Sequence, residues 1–249
     1  MNLSIYYDPV YFDAGWAFHH LVSRIVGAVF SGVVNTIRHW VKVLDFLIDP
    51  KGIRIENTWS NYGTGTSVSV AVTPATVTNC YMVAVVSADN TVTSITSPLL
   101  QGSTPSTLVT VGNSPRSAIY GTTSYSTTAG TFTCTLSGSC NWRCAVYQLS
   151  GVDQTTPTTS TGSVAPTQTS PMSVTLTTVD YGITIDVVTT MSASSYPAVQ
   201  NSQTTITLNG KVFTGYLLTP TVTSQAVGYS HYDSGTNYAT MAAVAINPA

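Results

Sequence analysis

Thr131-Phe132-Thr133-Cys134-Thr135-Leu136 and Trp142-Arg143-Cys144-Ala145-Val146-Tyr147-Gln148-Leu149, separated by Ser137-Gly138-Ser139-Cys140-Asn141, decide the fold class of this chain. The first run alternates threonine with apolar residues, the period-two pattern of a strand with one buried face. The second is rich in β-branched and aromatic residues and reads as a more deeply buried strand. The five small and polar residues between them predict a turn, and therefore a hairpin. In a symmetric hairpin Cys134 and Cys144 lie opposite each other, where a disulfide and a pair of buried thiols are both acceptable. The four cysteines, Cys80, Cys134, Cys140 and Cys144, allow three full pairings. They include no C-x-x-C, and His231 is the only histidine beyond residue 39, so no metal site is expected.

The same texture extends over most of the chain. Strand patterns recur at 67–72, 81–87, 107–111, 117–122, 173–178, 182–189, 204–208, 212–218, 226–232 and 239–246. Turn signals such as Asp89-Asn90, Gly112-Asn113, Asn209-Gly210 and Asp233-Ser234-Gly235 separate them, and Asn209-Gly210 is a hairpin signature. Many short strands with no helical period between them predict an antiparallel β-sandwich or jelly roll over residues 66–249. The Thr/Ser/Pro-rich stretch 151–171 reads as a long surface loop, and 49–65 as a linker.

Ahead of that linker the pattern changes. From 15 to 48 the polar residues His20, Arg24, Ser31, Asn35, Arg38, Lys42 and Asp45 recur at spacings of three, four and seven, with Gly27 completing the series, a narrow stripe on an α-helix. Asp13 is placed to cap its start, and Pro50 and Gly52 end it. The rest of the circumference is apolar and includes Trp16, Phe18, Ile25, Val29, Phe30, Val33, Ile37, Trp40 and Leu44. Such a helix must be buried in something. Lipid is one choice, because Trp16 and Trp40 stand about 36 Å apart at ~1.5 Å per residue, near bilayer dimensions. A helix bundle is the other. Gly27 with Ser31 and Ala28 with Gly32 permit close helix contact in either. Residues 1–14, with Tyr6, Tyr7, Tyr11 and Phe12, read as an extended arm that docks on a neighbouring subunit or folds back on its own domain.

Charge follows the same division. Ten of the eighteen charged side chains lie in the first 56 residues, and the remaining 193 carry eight. Charged residues make up 7% of the chain, far below the roughly 25% of an ordinary soluble domain, so much surface is expected to lie against partners. The net charge of −2 gives no electrostatic footprint for nucleic acid. The first fifteen residues lack the basic start of a secretion signal. Chemistry is poorly provided for. Glu56 is the only glutamate, and Asp89, Asp153, Asp180, Asp186 and Asp233 are scattered rather than paired as glycoside hydrolysis requires. No G-x-S-x-G elbow or phosphate-binding loop occurs. No catalytic residue and no cofactor is expected.

The segments Ala129-Gly130-Thr131-Phe132-Thr133-Cys134-Thr135-Leu136, Ala145-Val146-Tyr147-Gln148-Leu149-Ser150-Gly151-Val152-Asp153 and Thr155-Thr156-Pro157 resemble a β-sandwich module of phage and archaeal virion proteins and some extracellular bacterial proteins. Thr177-Thr178-Val179-Asp180-Tyr181-Gly182 and the closing Met241-Ala242-Ala243-Val244-Ala245-Ile246 extend the similarity over residues 60–249. The resemblance implies a structural or attachment role and carries no catalytic residues. With the arm and helix it gives the expectation of a virion structural protein: a capsid, penton or vertex, turret or spike component of a tailless icosahedral virus. Its expected partners are copies of itself, other virion proteins and an internal membrane reached by residues 15–48. A cell-surface adhesin or filament subunit that binds glycans is the alternative, and a glycan-acting enzyme a more distant one.

Overall fold

The computed structural model describes residues 52–89, 92–112, 114–167, 171–190, 197–199, 203–209, 211–219, 224–231 and 238–249. The expected arm and helix, with Tyr6, Tyr7, Tyr11, Phe12, Trp16, Phe18, Ile25, Gly27, Ala28, Val29, Phe30, Ser31, Gly32, Val33, Ile37, Trp40 and Leu44, lie outside the described residues. A compact unit spans Lys51–Ala249.

Within that unit the described residues form antiparallel β-structure and no helix, in three sheets. The first has the order β1 (Arg54–Val72), β6 (Gly130–Ser150), β2 (Tyr81–Ala88), β5 (Arg116–Thr122) and β4 (Ser106–Val111), with β3 (Ile95–Leu100) also on β6. The second runs β11 (Thr204–Leu208), β12 (Lys211–Thr219), β9 (Gly182–Thr190), β14 (Ala239–Ile246) and β7 (Thr158–Thr167). The third is β10 (Pro197–Val199), β13 (Ser224–His231) and β8 (Met172–Thr177).

The sheets stack face to face, with the five-stranded sheet in the middle. Its strands β9 and β14 are buried on both faces, which explains their near-continuous apolar character. On one face Ile183, Ile185, Val187, Val244 and Ile246 pack against Val83, Val85, Ile119, Tyr147 and Leu149 of the six-stranded sheet. On the other, Val188, Met241, Ala243 and Ala245 pack beneath Val174, Leu176, Val227 and Tyr229 of the three-stranded sheet. The expectation of a mainly antiparallel β fold therefore holds, as three sheets packed face to face.

The stretch quoted first behaves differently from its sequence reading. Residues 130–150 form one strand, β6, and both halves pair with the nearly as long β1. Residues 130–135 lie against 67–72, and 140–150 against 54–65. The expected turn at 137–141 is a corner at which the strand bends without reversing. β1 turns the same corner at Gly65, whose φ of +137° is open to glycine and strained for other residues. Asn61 Nδ2 donates to the carbonyl of Ser69 across the bend at 2.9 Å. The six-stranded sheet is thereby folded over on itself. Val68, Val70, Phe132, Cys134, Leu136 and Leu100 from the folded part face Met82, Ala84, Val86, Tyr120, Cys144 and Val146 from the rest. Cys134 stands opposite Val68, and Cys144 is flanked by Asn61 and Val86. They are not hairpin partners. All four cysteines are buried free thiols, the second of the two states acceptable for Cys134 and Cys144.

Two further readings change. Residues 54–65 of the expected linker are the first half of β1, and β7 occupies the expected surface loop. Both are edge strands rich in Thr, Ser, Asn and Gly with one face in solvent, a texture that looks like loop in sequence. The strands expected at 204–208 and 239–246 form with those bounds.

Candidate functional site

The charged side chains that the fold buries gather at two places. The first is one end of the interface between the six-stranded and five-stranded sheets. Asp89, just past the end of β2, and Arg143 of β6 form an ion pair at 3.0 Å, with side chains 3% and 5% exposed. Arg143 Nε also donates to the Leu208 carbonyl at 3.3 Å, which ties β6 to the end of β11. Lys211, at the start of β12, is buried and its Nζ donates to Thr190 Oγ1 at 3.2 Å. Burial raises the Asp89 pKa; the charges of Arg143 and Lys211 act in the opposite direction. Beside this cluster Ser117 of β5 shares hydrogen bonds with Thr189 at 2.7 Å and Thr240 at 2.9 Å, again between the two sheets.

The second place is the interface between the middle and outer sheets. Asp186 lies on β9 with no exposed surface. Its Oδ1 accepts the Tyr229 hydroxyl from β13, and its Oδ2 accepts Gln203 Nε2 at 2.6 Å. The backbone N–H of Gly215, its cross-strand neighbour on β12, also donates to the carboxyl. Glycine is required at 215: a Cβ there would stand 2.8 Å from the Tyr229 hydroxyl oxygen and 3.4 Å from Asp186 Oδ1. Gln203 Oε1 accepts the Gly228 N–H at 3.3 Å, so this one side chain also grips β13. On the opposite face of the middle sheet, Thr214 Oγ1 donates to the Asp186 carbonyl and lies 3.0 Å from the Tyr147 hydroxyl of β6. One connected set of polar groups thus crosses all three sheets. Burial pushes the Asp186 carboxyl up to about 7 against the pull of its three donors.

Both constellations pin layers together. Asp89, Arg143, Asp186 and Lys211 are all buried, and none presents a nucleophile or a proton donor to open solvent. Among the described residues no group of three or more histidine, cysteine or acidic side chains is arranged to hold a metal. The thiols are equally enclosed. Burial pushes Cys134 up to about 12 and Cys140 up to about 11, and drives Cys144 up with a further contribution from Cys134. The structure therefore brings Cys134 and Cys144 into one core as inert thiols.

Sequence reading missed the Asp186 hub, although a signal was present. Asp186 is the single charged residue in Gly-Ile-Thr-Ile-Asp-Val-Val-Thr-Thr, a segment that otherwise reads as a buried strand, and a charge there needs an organised set of partners. Arg143, alone in the second run quoted at the outset, carries the same signal.

The surface is as informative as the core. Of the eight charged residues after position 56, four are buried and three, Arg116, Asp153 and Asp180, lie at or near the surface; Arg54 and Glu56 are exposed at the start of β1. Asp153 accepts hydrogen bonds from Thr155 N at 2.7 Å and from Thr156 N at 3.1 Å, which makes it a turn-stabilising residue. Among the described residues the exposed large apolar side chains are Tyr62, Leu99, Val179, Leu218 and Tyr238. Thr, Ser and Asn cover most of the remaining strand surface, as along β1 and β7. No family model matches the chain, and no curated protein or solved structure matches it.

Proposed function

We propose that this chain is a virion structural protein, a capsid, vertex, turret or spike component in which a jelly-roll-like β unit is held in the particle by residues 1–48. The observation that carries this reading is the near absence of surface charge on the β unit. A freely diffusing protein of this size relies on charge to remain dispersed. A subunit whose faces and edges lie against symmetry mates does not. Half of the charges that the sequence places after residue 56 serve inside the fold, which leaves the exterior poorer in charge than composition alone indicates.

The edges fit the same role. β1 is an edge strand of nineteen residues without a lysine or a proline, and from Asn57 to Val72 it has no charge. Isolated proteins protect such an edge, whereas assembly parts pair or cover it. In the proposed particle the partners are copies of the chain and other virion proteins, and residues 15–48 lie among helices or in an internal membrane.

Sedimentation of the full chain, and of residues 51–249 alone, tests this reading. The proposal expects the full chain to form discrete oligomers or to need detergent, and the shortened chain to be folded and soluble. A full chain that remains a monodisperse monomer at high concentration and binds a glycan would support the adhesin instead. A β unit that unfolds on loss of residues 1–50 would show the N-terminal segment to be core rather than anchor.

A further inference from the structure

Among the described residues Asp186 has no counter-charge. The groups that meet its carboxyl are Tyr229 from β13, Gln203 from the segment before β11 and the Gly215 N–H of β12. The titratable groups behind them are phenols again, Tyr147 of β6 and Tyr216 of β12, stacked edge to face at 6.3 Å. β8, β10 and β14 carry no titratable residue, and Lys211, the cation on β12, is engaged with Thr190. A carboxylate without a cation and without solvent is held only by neutral donors, and these do not recover its lost hydration. The protonated acid avoids that cost and keeps its contacts, because a phenol oxygen accepts as readily as it donates.

The position makes this matter. Tyr229 and Gln203 both tie β13 of the three-stranded sheet to the middle sheet, and both close on this one carboxyl; Ser160 Oγ of β7, which donates to the Thr177 carbonyl of β8 at 2.8 Å, is a tie that does not titrate. We propose that Asp186 is a proton-operated clasp: protonated, it holds the sheet formed by β8, β13 and β10 against the middle sheet, and ionised, it loosens it.

The sign follows from linkage. A carboxyl that binds its proton more tightly in the closed state than in the open one adds stability that is complete below its open-state value. That stability is lost as pH rises through the closed-state value, about 7 for Asp186. The outer sheet is therefore tightest in mild acid and loosest from neutrality upward, opposite to the behaviour of an acid-triggered release.

Hydrogen exchange of the full-length protein, corrected for intrinsic rates, reads the clasp directly at Val174 of β8 and Val227 of β13. The opening constant is expected to rise by about tenfold per pH unit between pH 5 and 7. In Asp186→Asn, which keeps the shape and cannot ionise, that rise is absent. The difference in slope between the native protein and this variant carries the test. A native opening constant that does not change with pH, or a variant that keeps the native slope, overturns the proposal. Should the variant fail to fold, carboxyl-carbon NMR of the native protein decides: an Asp186 midpoint near 7 supports the clasp, and one below about 5 overturns it. Tyr229→Phe removes a donor from the ionised form, and the midpoint is then expected to move upward.

Discussion

Gly65 gives the folded-over sheet its most exposed point of attack. Its φ of +137° lies where side-chain-bearing residues are strained, and no atom stands within 4 Å of the position that a Cβ would occupy. Gly65→Ala therefore changes the backbone term alone, at a cost of about 1–3 kcal/mol. For a unit of about 200 residues each kcal/mol lowers the melting temperature by about 2–4 °C, so a mid-range cost gives a fall of about 4–8 °C. Gly63, two residues earlier, provides the contrast. Its conformation is ordinary, but a Cβ there would stand 2.7 Å from the ring of Trp142, its cross-strand partner. Gly63→Ala acts by displacing that ring. Thermal and urea unfolding of both variants, each also in a Trp142→Leu background, separates the two causes. The cost at residue 63 should shrink when the indole is removed, and the cost at residue 65 should persist. If Gly65→Ala is neutral within about 0.3 kcal/mol, or its cost disappears with Trp142, the strand does not turn its corner through that residue, and the folded-over sheet is wrong.

Breaking the buried ion pair by Asp89→Ala or Arg143→Met should each cost about 3–5 kcal/mol in urea unfolding, with the double change to Leu and Met recovering most of it, whereas equal and additive losses would show the charges to be separately solvated. The four thiols should resist a water-soluble thiol reagent in the native protein and react together on unfolding, since burial raises the pKa of each. Rapid labelling, or a mass lower by two hydrogens in the oxidised protein, would contradict the free, enclosed state of Cys134 and Cys144. Tyr147→Phe, which removes a hydroxyl bonded to Thr214 between two sheets, should destabilise by about 1 kcal/mol; no change at all would argue against that bond.

Most of the strands were legible because β-periodicity and turn residues are local. β11 and β14 have the bounds that their alternation and flanking turns predict. What escaped depended on neighbours. The glycine and two serines at 137–141 are compatible with a reversal and with a bend, and only pairing with β1 along both halves selects the bend. The first half of β1 and all of β7 expose one face and cover the other only partly, so the apolar residues that mark a strand are sparse. The two buried polar sites were half legible. Arg143 and Asp186 are conspicuous as lone charges in apolar strands, but their partners Asp89, Gln203 and Tyr229 are up to 54 residues away and no spacing announces them. Function was legible chiefly by subtraction, through the chemistry that the residues leave out.

The claim that this chain is made for assembly is tested most directly by electron microscopy of the full-length protein under conditions where sedimentation shows its largest discrete species. The account predicts closed, symmetric particles or rings in which the β units pack side by side. Single, separate β units at every concentration, with or without lipid, would contradict it.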